Sequence, residues 1–316
     1  MQTIYDMGHG APRSGDGSGT GRARNRRKHH HPKIIAYVLL GPGLLLFCAV
    51  VVYGIIYNVE NSLRGSLGQG FSLSNYGTLL HDGVFWLALG NNGLWLVVCV
   101  GVQLLIGYSL ALLTFFEVLG RRLVKSVVFV PVVLSPVVVS LVWDQMYNPA
   151  GGLLAGVQRS LGLGSGIDYL GSAGFAIFSI AVVNIWQWTG FSLLLGSSAL
   201  QNVPKEVTDA AVVDGAGLLT VARKILVQYL RPATVTLIIL GVIGSLQTFA
   251  LVFVMTGGGP GDASQVLGTY IYKVAFSENE FSYGSTVSVA LLVVTLVVTV
   301  VQLGIVSRMG REERKS

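Results

Sequence analysis

Six stretches of this sequence run for 18 residues or more without a single Asp, Glu, Lys or Arg: Ile34–Tyr57, Phe85–Phe116, Ser126–Trp143, Ala173–Ala199, Ala233–Thr256 and Phe281–Ser307. Bilayer hydrocarbon about 30 Å thick is crossed by roughly 20 apolar residues of α-helix, the element that bonds all its backbone groups within itself. Transmembrane strands are about 10 residues long and alternate in polarity, whereas these runs are longer and apolar on every face. Only 11% of the 316 residues are charged, against about 25% in a soluble domain. The expected fold class is therefore all-α integral membrane with six transmembrane helices, which excludes a soluble enzyme and a disordered chain. Cys48 and Cys99 both fall inside such runs and read as neither a metal cluster nor a disulfide framework. Gly90-Asn91-Asn92-Gly93, near the start of the second run, is expected at the membrane interface.

Lys and Arg set the orientation. With the N-terminus in the cytoplasm, 18 of the 21 basic residues lie on that side. Seven are in the N-terminal tail. Arg121, Arg122 and Lys125 follow in the 117–125 loop, then Lys205, Arg223, Lys224 and Arg231 in the 202–231 loop, and four more after Ser307. Arg64, Arg159 and Lys273 remain outside. The span count is then even and both termini are cytoplasmic, as in a multi-pass protein of the cytoplasmic membrane. The net charge of +6 is topological, so no nucleic-acid partner is implied. Residues 1–33 read as a disordered basic cytoplasmic tail, with Arg22–Lys33 held to anionic membrane lipid. Residues 34–310 form the membrane domain, and 311–316 a short cytoplasmic tail. His29-His30-His31 has no partner cluster for a metal.

Residues 202–231 form a 30-residue cytoplasmic loop too apolar and too patterned to be a linker. Pro204–Gly217 reads as a short helix, with Pro204 in its first turn, acids near its N-terminus and glycine ending it. Leu218–Leu230 reads as a second short helix leading to Pro232 at the start of the fifth span. The small residues Ala210, Ala211, Gly215 and Ala216 allow another backbone to approach closely.

Asp209-Ala210-Ala211, Asp214-Gly215-Ala216, Ile225, Leu230 and Pro232 resemble the EAA loop of ABC importer permeases. The likeness extends through Asn184-Ile185-Trp186-Gln187-Trp188 and Thr256-Gly257-Gly258-Gly259-Pro260 to the maltose-type carbohydrate branch, specifically the first of its two dissimilar membrane subunits. Asp209 replaces the usual Glu, one methylene shorter, and Gln228 the usual Pro. The resemblance implies a type I ABC importer permease fold with a cytoplasmic coupling helix. It further implies a heterodimer with a second six-span permease subunit, a cytoplasmic ABC ATPase dimer and an extracytoplasmic solute-binding protein. The chain itself holds no G-x-x-x-x-G-K-[ST] phosphate loop, so it is read as non-catalytic and without a cofactor, ATP and Mg being bound by the partner ATPase. Glu206, Asp209, Ala210, Ala211, Asp214, Gly215 and Ala216 are the ATPase-coupling residues so implied. A helix resting on lipid, the alternative for this loop, would show Trp, Phe or Leu to the bilayer, and its first half offers few.

A sugar site needs aromatic faces and amide or hydroxyl groups within a cavity screened from lipid. Asn184, Gln187, Trp188 and Phe191 supply these in the fourth span, and Ser245, Gln247, Thr248 and Phe249 in the fifth. The family's cavity positions match Gln187, Trp188, Phe191, Gly244, Ser245 and Thr248, each set on one helix face. Pro136 is expected to break the third span beside the cavity. The bland reading is helix–helix glue. Gly151–Leu163 reads as an interfacial helix, and the Gly257–Gly261 turn with the 58–84 loop as docking surface for the binding protein. An ion-driven transporter is the main alternative; such proteins carry intramembrane Asp, Glu or His, which the span cores lack. A permease for another polar solute also stands, whereas an intramembrane enzyme has no nucleophile–base pair to use.

Overall fold

The computed structural model describes residues 32–64, 70–116, 120–162 and 167–312. Most of the expected basic N-terminal tail, with its histidine run, lies outside these residues, as do 313–316. The chain divides into two units, Met1–Tyr53 and Gly54–Ser316. In the first, α1 (Pro32–Phe47) leads into a π-helical turn, Cys48–Val52. Proline is tolerated at the first helical position because its missing N–H has no partner there in any case, and α1 accordingly starts at Pro32, two residues before the expected boundary.

The second unit is helical throughout its regular structure among the described residues. α2 (Tyr53–Ser62) and α3 (Ser74–His81) precede α4 (Gly83–Trp95), which continues through a π-helical turn into α5 (Gly101–Phe115). Then come α6 (Arg121–Val133), α7 (Pro136–Tyr147), α8 (Leu153–Ser160) and the long α9 (Ala176–Leu200). The elbow helix α10 (Lys205–Val213) is followed by α11 (Leu218–Val221), which continues through a π-helical turn into α12 (Val227–Leu246). α13 (Ala250–Met255), α14 (Leu267–Tyr272) and α15 (Phe281–Glu312) complete the order. Among the described residues five helical runs are long and apolar enough to cross a membrane, or six if α6 and α7 are one broken span.

Two expected spans are redrawn. The third, expected to run over Ser126–Trp143, is made of α6 and α7, which meet at 102° across Leu134-Ser135. Pro136 is the cause: its ring disfavours helical geometry in the preceding residue, and Ser135 is extended at φ −60°, ψ 136°. The fifth span is shifted toward the N-terminus. Leu218–Leu246 is one run of 29 residues, so Leu218–Leu230 is its first part rather than a separate helix, and Pro232 lies inside it. At 1.5 Å per residue the run is about 43 Å long, longer than the hydrocarbon, and the extra turns at its start carry Arg223 and Lys224. It stops at Leu246, ten residues before the expected end, and α13 starts after the break at Gln247–Phe249.

α9 is the central element, with α5, α6 and α12 packed on it. Close approach depends on glycine. A Cβ on Gly190 would lie 2.2 Å from the Val128 carbonyl oxygen, and one on Gly107 2.4 Å from Ser192 Cβ. Asn91 and Asn92, expected at the interface, are instead buried. Asn91 Nδ2 donates to the carbonyls of Ala263 (3.0 Å) and Gln265 (2.8 Å). Asn92 Nδ2 donates to the Ser245 carbonyl near the end of α12, while its Oδ1 accepts from the Leu267 N–H (2.9 Å) at the start of α14. One side-chain amide thus satisfies two helix-end groups that have no partner within their own helices.

Asp82 joins the same end of the unit. Its Oδ1 caps α4 by accepting from the N–H groups of Val84 (2.8 Å) and Phe85 (3.2 Å). Its Oδ2 accepts from the Tyr270 and Tyr283 hydroxyls, tying in α14 and α15. Partial burial pushes the carboxyl up, but the bonds from Tyr270, Tyr283, Phe85 and Val84 outweigh it and hold Asp82 below its usual range. Asp82→Asn keeps the cap acceptor but turns an amide nitrogen, which cannot accept, toward one or both tyrosines. We expect it to lower unfolding stability by about 1–3 kcal/mol, read as a lower thermal midpoint in detergent at neutral pH. A depressed carboxyl stabilises above its unfolded value, near pH 3.9, and loses that contribution as pH falls through the folded value. The gap between wild type and variant should therefore close only in strong acid.

Candidate functional site

The broken helices border a cavity of about 530 Å³, open on one side, within the usual size for small-molecule sites. α9 contributes Asn184, Gln187, Trp188 and Phe191, and the end of α12 with the following break contributes Gly244, Ser245, Gln247, Thr248 and Phe249. The six residues assigned by resemblance, Gln187, Trp188, Phe191, Gly244, Ser245 and Thr248, all line this one space. Pro136 is part of its wall, as the sequence suggested. No charged side chain lines it.

Local bonding fixes how each polar group presents. Thr248 Oγ1 donates to the Gly244 carbonyl (2.9 Å) and Ser245 Oγ to the Val242 carbonyl (2.9 Å), so both hydroxyls keep only acceptor capacity for a visitor. Gln103 Nε2 donates to Asn184 Oδ1 (2.8 Å). Gln187 Nε2 donates to the Leu134 carbonyl (3.0 Å) at the break of α6 and α7. Trp188 meets Phe191 edge to face with ring centroids 6.1 Å apart. The sequence reading missed Gln103 and Trp95 as lining residues; an amide isolated within a charge-free run was the available signal for Gln103.

A second feature lies at the elbow between α9 and α11. α10 ends in a Schellman turn: the Gly215 N–H bonds the Val212 carbonyl (3.0 Å) and the Ala216 N–H the Ala211 carbonyl (2.9 Å). Gly215 sits at φ +77°, a region open to glycine and strained for other residues. Pro204, expected in the first turn, immediately precedes the helix with extended ψ. The seven residues expected from the resemblance to couple to an ATPase do not share one face. Glu206, Asp209, Ala210, Asp214 and Gly215 are exposed. Ala211 and Ala216 are half-buried, packed against the core of Leu200, Val221, Leu226 and Leu230. Val213, which the sequence reading passed over, is 86% exposed, and Val212, Leu218 and Leu219 are also open. A nine-residue helix cannot turn every apolar residue inward, and Val212-Val213 beside Ala210-Ala211 was the sign.

At the opposite end of α9 and α12, the Gly257–Gly261 turn is tightly held. Thr256 and Ser264 share a hydroxyl bond (2.8 Å), and a Cβ on Gly258 would lie 2.2 Å from Gln265. Lys273 Nζ bonds both Asp262 oxygens (2.7 and 2.9 Å) and approaches Glu278 at 3.9 Å. α8 occupies the expected position of the interfacial helix, with Leu153 and Val157 exposed.

A family model described as "Binding-protein-dependent transport system inner membrane component" matches residues 103–311. The probable ABC transporter permease protein YurN of Bacillus subtilis is 34% identical, over 89% of this chain and 98% of its own length. The trehalose/maltose transport system permease protein MalF of Thermococcus litoralis is 29% identical, over 77% of this chain and 80% of its own. Among solved structures, a chain of a bacterial ABC transporter involved in the import of the acidic polysaccharide alginate superposes with a TM-score of 0.77. It is 19% identical and covers 87% of this chain and 96% of its own, a likeness of fold.

The elbow geometry can be tested independently of function. Gly215→Ala, strained by about 1–2 kcal/mol in the left-handed region, should speed hydrogen exchange at the Ala216 amide about five- to thirtyfold. Gly215→Asn, which tolerates that region, should change it far less. Equal exchange in the two variants would contradict the assigned turn.

Proposed function

Since the chain belongs to the family of binding-protein-dependent transport system inner membrane components, we propose that it is the permease subunit of an ATP-driven importer for a sugar or oligosaccharide. The observation that carries this reading is that both helices leaving the elbow are among those that line the cavity. Gln187, Trp188 and Phe191 stand on α9 and Gly244 and Ser245 on the Leu218–Leu246 run. From Leu200 back to Gln187 is about 20 Å of helix, so a pull on α10 acts on both cavity walls through rigid levers. Aromatic rings, amides and hydroxyls without charge suit a neutral polyhydroxylated solute. The trehalose/maltose and alginate names of the relatives are saccharides too.

In this reading a cytoplasmic ABC ATPase dimer receives α10 on its surface. The acids Glu206, Asp209 and Asp214 form the rim of the contact, and Val213 its apolar centre. ATP and Mg are held by that dimer. A second six-span permease subunit closes the open side of the cavity, and an extracytoplasmic binding protein docks at the Gly257–Gly261 end. Both termini and the elbow lie in the cytoplasm in this reading, which the Lys and Arg distribution supports. ATP-driven closure of the dimer moves the elbow and switches the cavity from inward- to outward-facing; hydrolysis reverses it.

Two measurements test the proposal. Purification of the chain from its native membrane in mild detergent should recover an ATPase and a second six-span chain. Recovery of a homodimer with ion-driven uptake would overturn the reading. Gly215→Trp should insert normally yet reduce ATP-dependent uptake to background, because the ring blocks close docking and the turn is strained. Normal uptake by that variant would remove the elbow from the mechanism.

A further inference from the structure

Gln187 does two things that no other cavity residue combines among the described residues. It is 1% exposed, and its Nε2 donates to the carbonyl of Leu134 (3.0 Å), the last residue before Ser135 and Pro136 at the 102° break of α6 and α7. That carbonyl lies past the end of α6 and can only accept, so the amide orientation is forced: nitrogen to the break, oxygen away from it. The oxygen, Oε1, is buried and has no hydrogen-bond partner within the protein, and Gln187 lines the cavity. A buried amide oxygen left unpaired costs about 1–3 kcal/mol.

We propose that Gln187 is a positioning residue that links cavity occupancy to the break in the third span. A solute hydroxyl donating to Oε1 polarises the amide and strengthens the bond from Nε2 to Leu134, so that a filled cavity holds α6 and α7 at one angle and an empty one leaves the angle loosely held. The inference rests on the functional reading above for the solute class. The latch itself does not depend on it. It also sets a selectivity rule: a solute must place a hydrogen-bond donor at this atom, and an acceptor-only compound of the same size leaves the latch loose.

The test uses the full chain with its co-purified partners in nanodiscs. Spin labels are placed at Val130→Cys and Val142→Cys, both exposed and on either side of the break, in a Cys48→Ser, Cys99→Ser background. The distance distribution between them is read by pulsed EPR, with maltose as the probe solute. Gln187→Leu should broaden and shift the distribution, whereas Asn184→Leu, which removes the bond to Gln103 and does not touch the break, should not. Gln187→Glu supplies a readout that a packing role would not move. Its neutral carboxyl donates to Leu134 and its ionised form cannot, so the wild-type distribution should return on acidification. Cys99, replaced here, is the only other titratable group among the cavity-lining residues. Maltose should narrow the wild-type distribution and leave Gln187→Leu unchanged. Superimposable wild-type and Gln187→Leu distributions would overturn the latch. An equal response of both to maltose, or none in wild type, would overturn the link through Oε1, while recovery of the ATPase in the same preparation would leave the functional reading standing.

Discussion

A carbonyl or N–H group without a partner in a hydrocarbon environment costs several kcal/mol, and this chain breaks two of its spans beside one cavity. The breaks persist because side-chain amides and hydroxyls, from neighbouring helices or from the break itself, take over the freed groups. Gln187 bonds the Leu134 carbonyl, Thr248 that of Gly244, and Asn92 both the Ser245 carbonyl and the Leu267 N–H. Removing any of these leaves a helix end unsatisfied, and the cavity shape depends on them. The contrast drawn from sequence between glue and binding site therefore dissolves at Gln187, which serves the first role with its nitrogen and has its oxygen left for the second.

The two ends of the second unit are built differently, and the difference fits a machine driven from one side. At the Gly257–Gly261 end, Asp82, Asn91, Asn92, Asp262 and Lys273 tie α4, α14 and α15 and their loops together through directed polar bonds. At the elbow the links are apolar packing of Ala211 and Ala216 on Leu200, Val221, Leu226 and Leu230. Apolar contacts tolerate small sliding, whereas a hydrogen-bonded network holds one geometry or breaks. In the proposed mechanism the hydrogen-bonded cap is the fixed end and the apolar elbow the moving one, joined by α9 and the Leu218–Leu246 run.

Much of this was legible in the residues. Charge-free runs located the helices, Pro136 marked the break between α6 and α7, and the six positions implied by the family resemblance all line a single cavity. What stayed hidden had physical causes. Arg223 and Lys224 suggested a helix boundary, but a span can extend beyond hydrocarbon and carry charges there, so Leu218–Leu246 is continuous. Asn91 and Asn92 looked interfacial because amides are costly in lipid; their partners, at Ser245, Ala263, Gln265 and Leu267, lie more than 150 positions away. The elbow motif gave Ala211 and Ala216 the same expected role as Asp209 and Gly215, but the two alanines pack on the chain's own core, since small residues suit close approach to that core as well as to a partner.

The central claim is that force enters this molecule through α10. Its most direct measurement is photo-cross-linking from a benzophenone placed at Val213, the most exposed apolar side chain of the elbow, in intact native membranes. The account predicts an adduct with a nucleotide-binding protein whose yield changes when ATP hydrolysis is blocked. Adducts with phospholipid alone, unaffected by nucleotide, would contradict it.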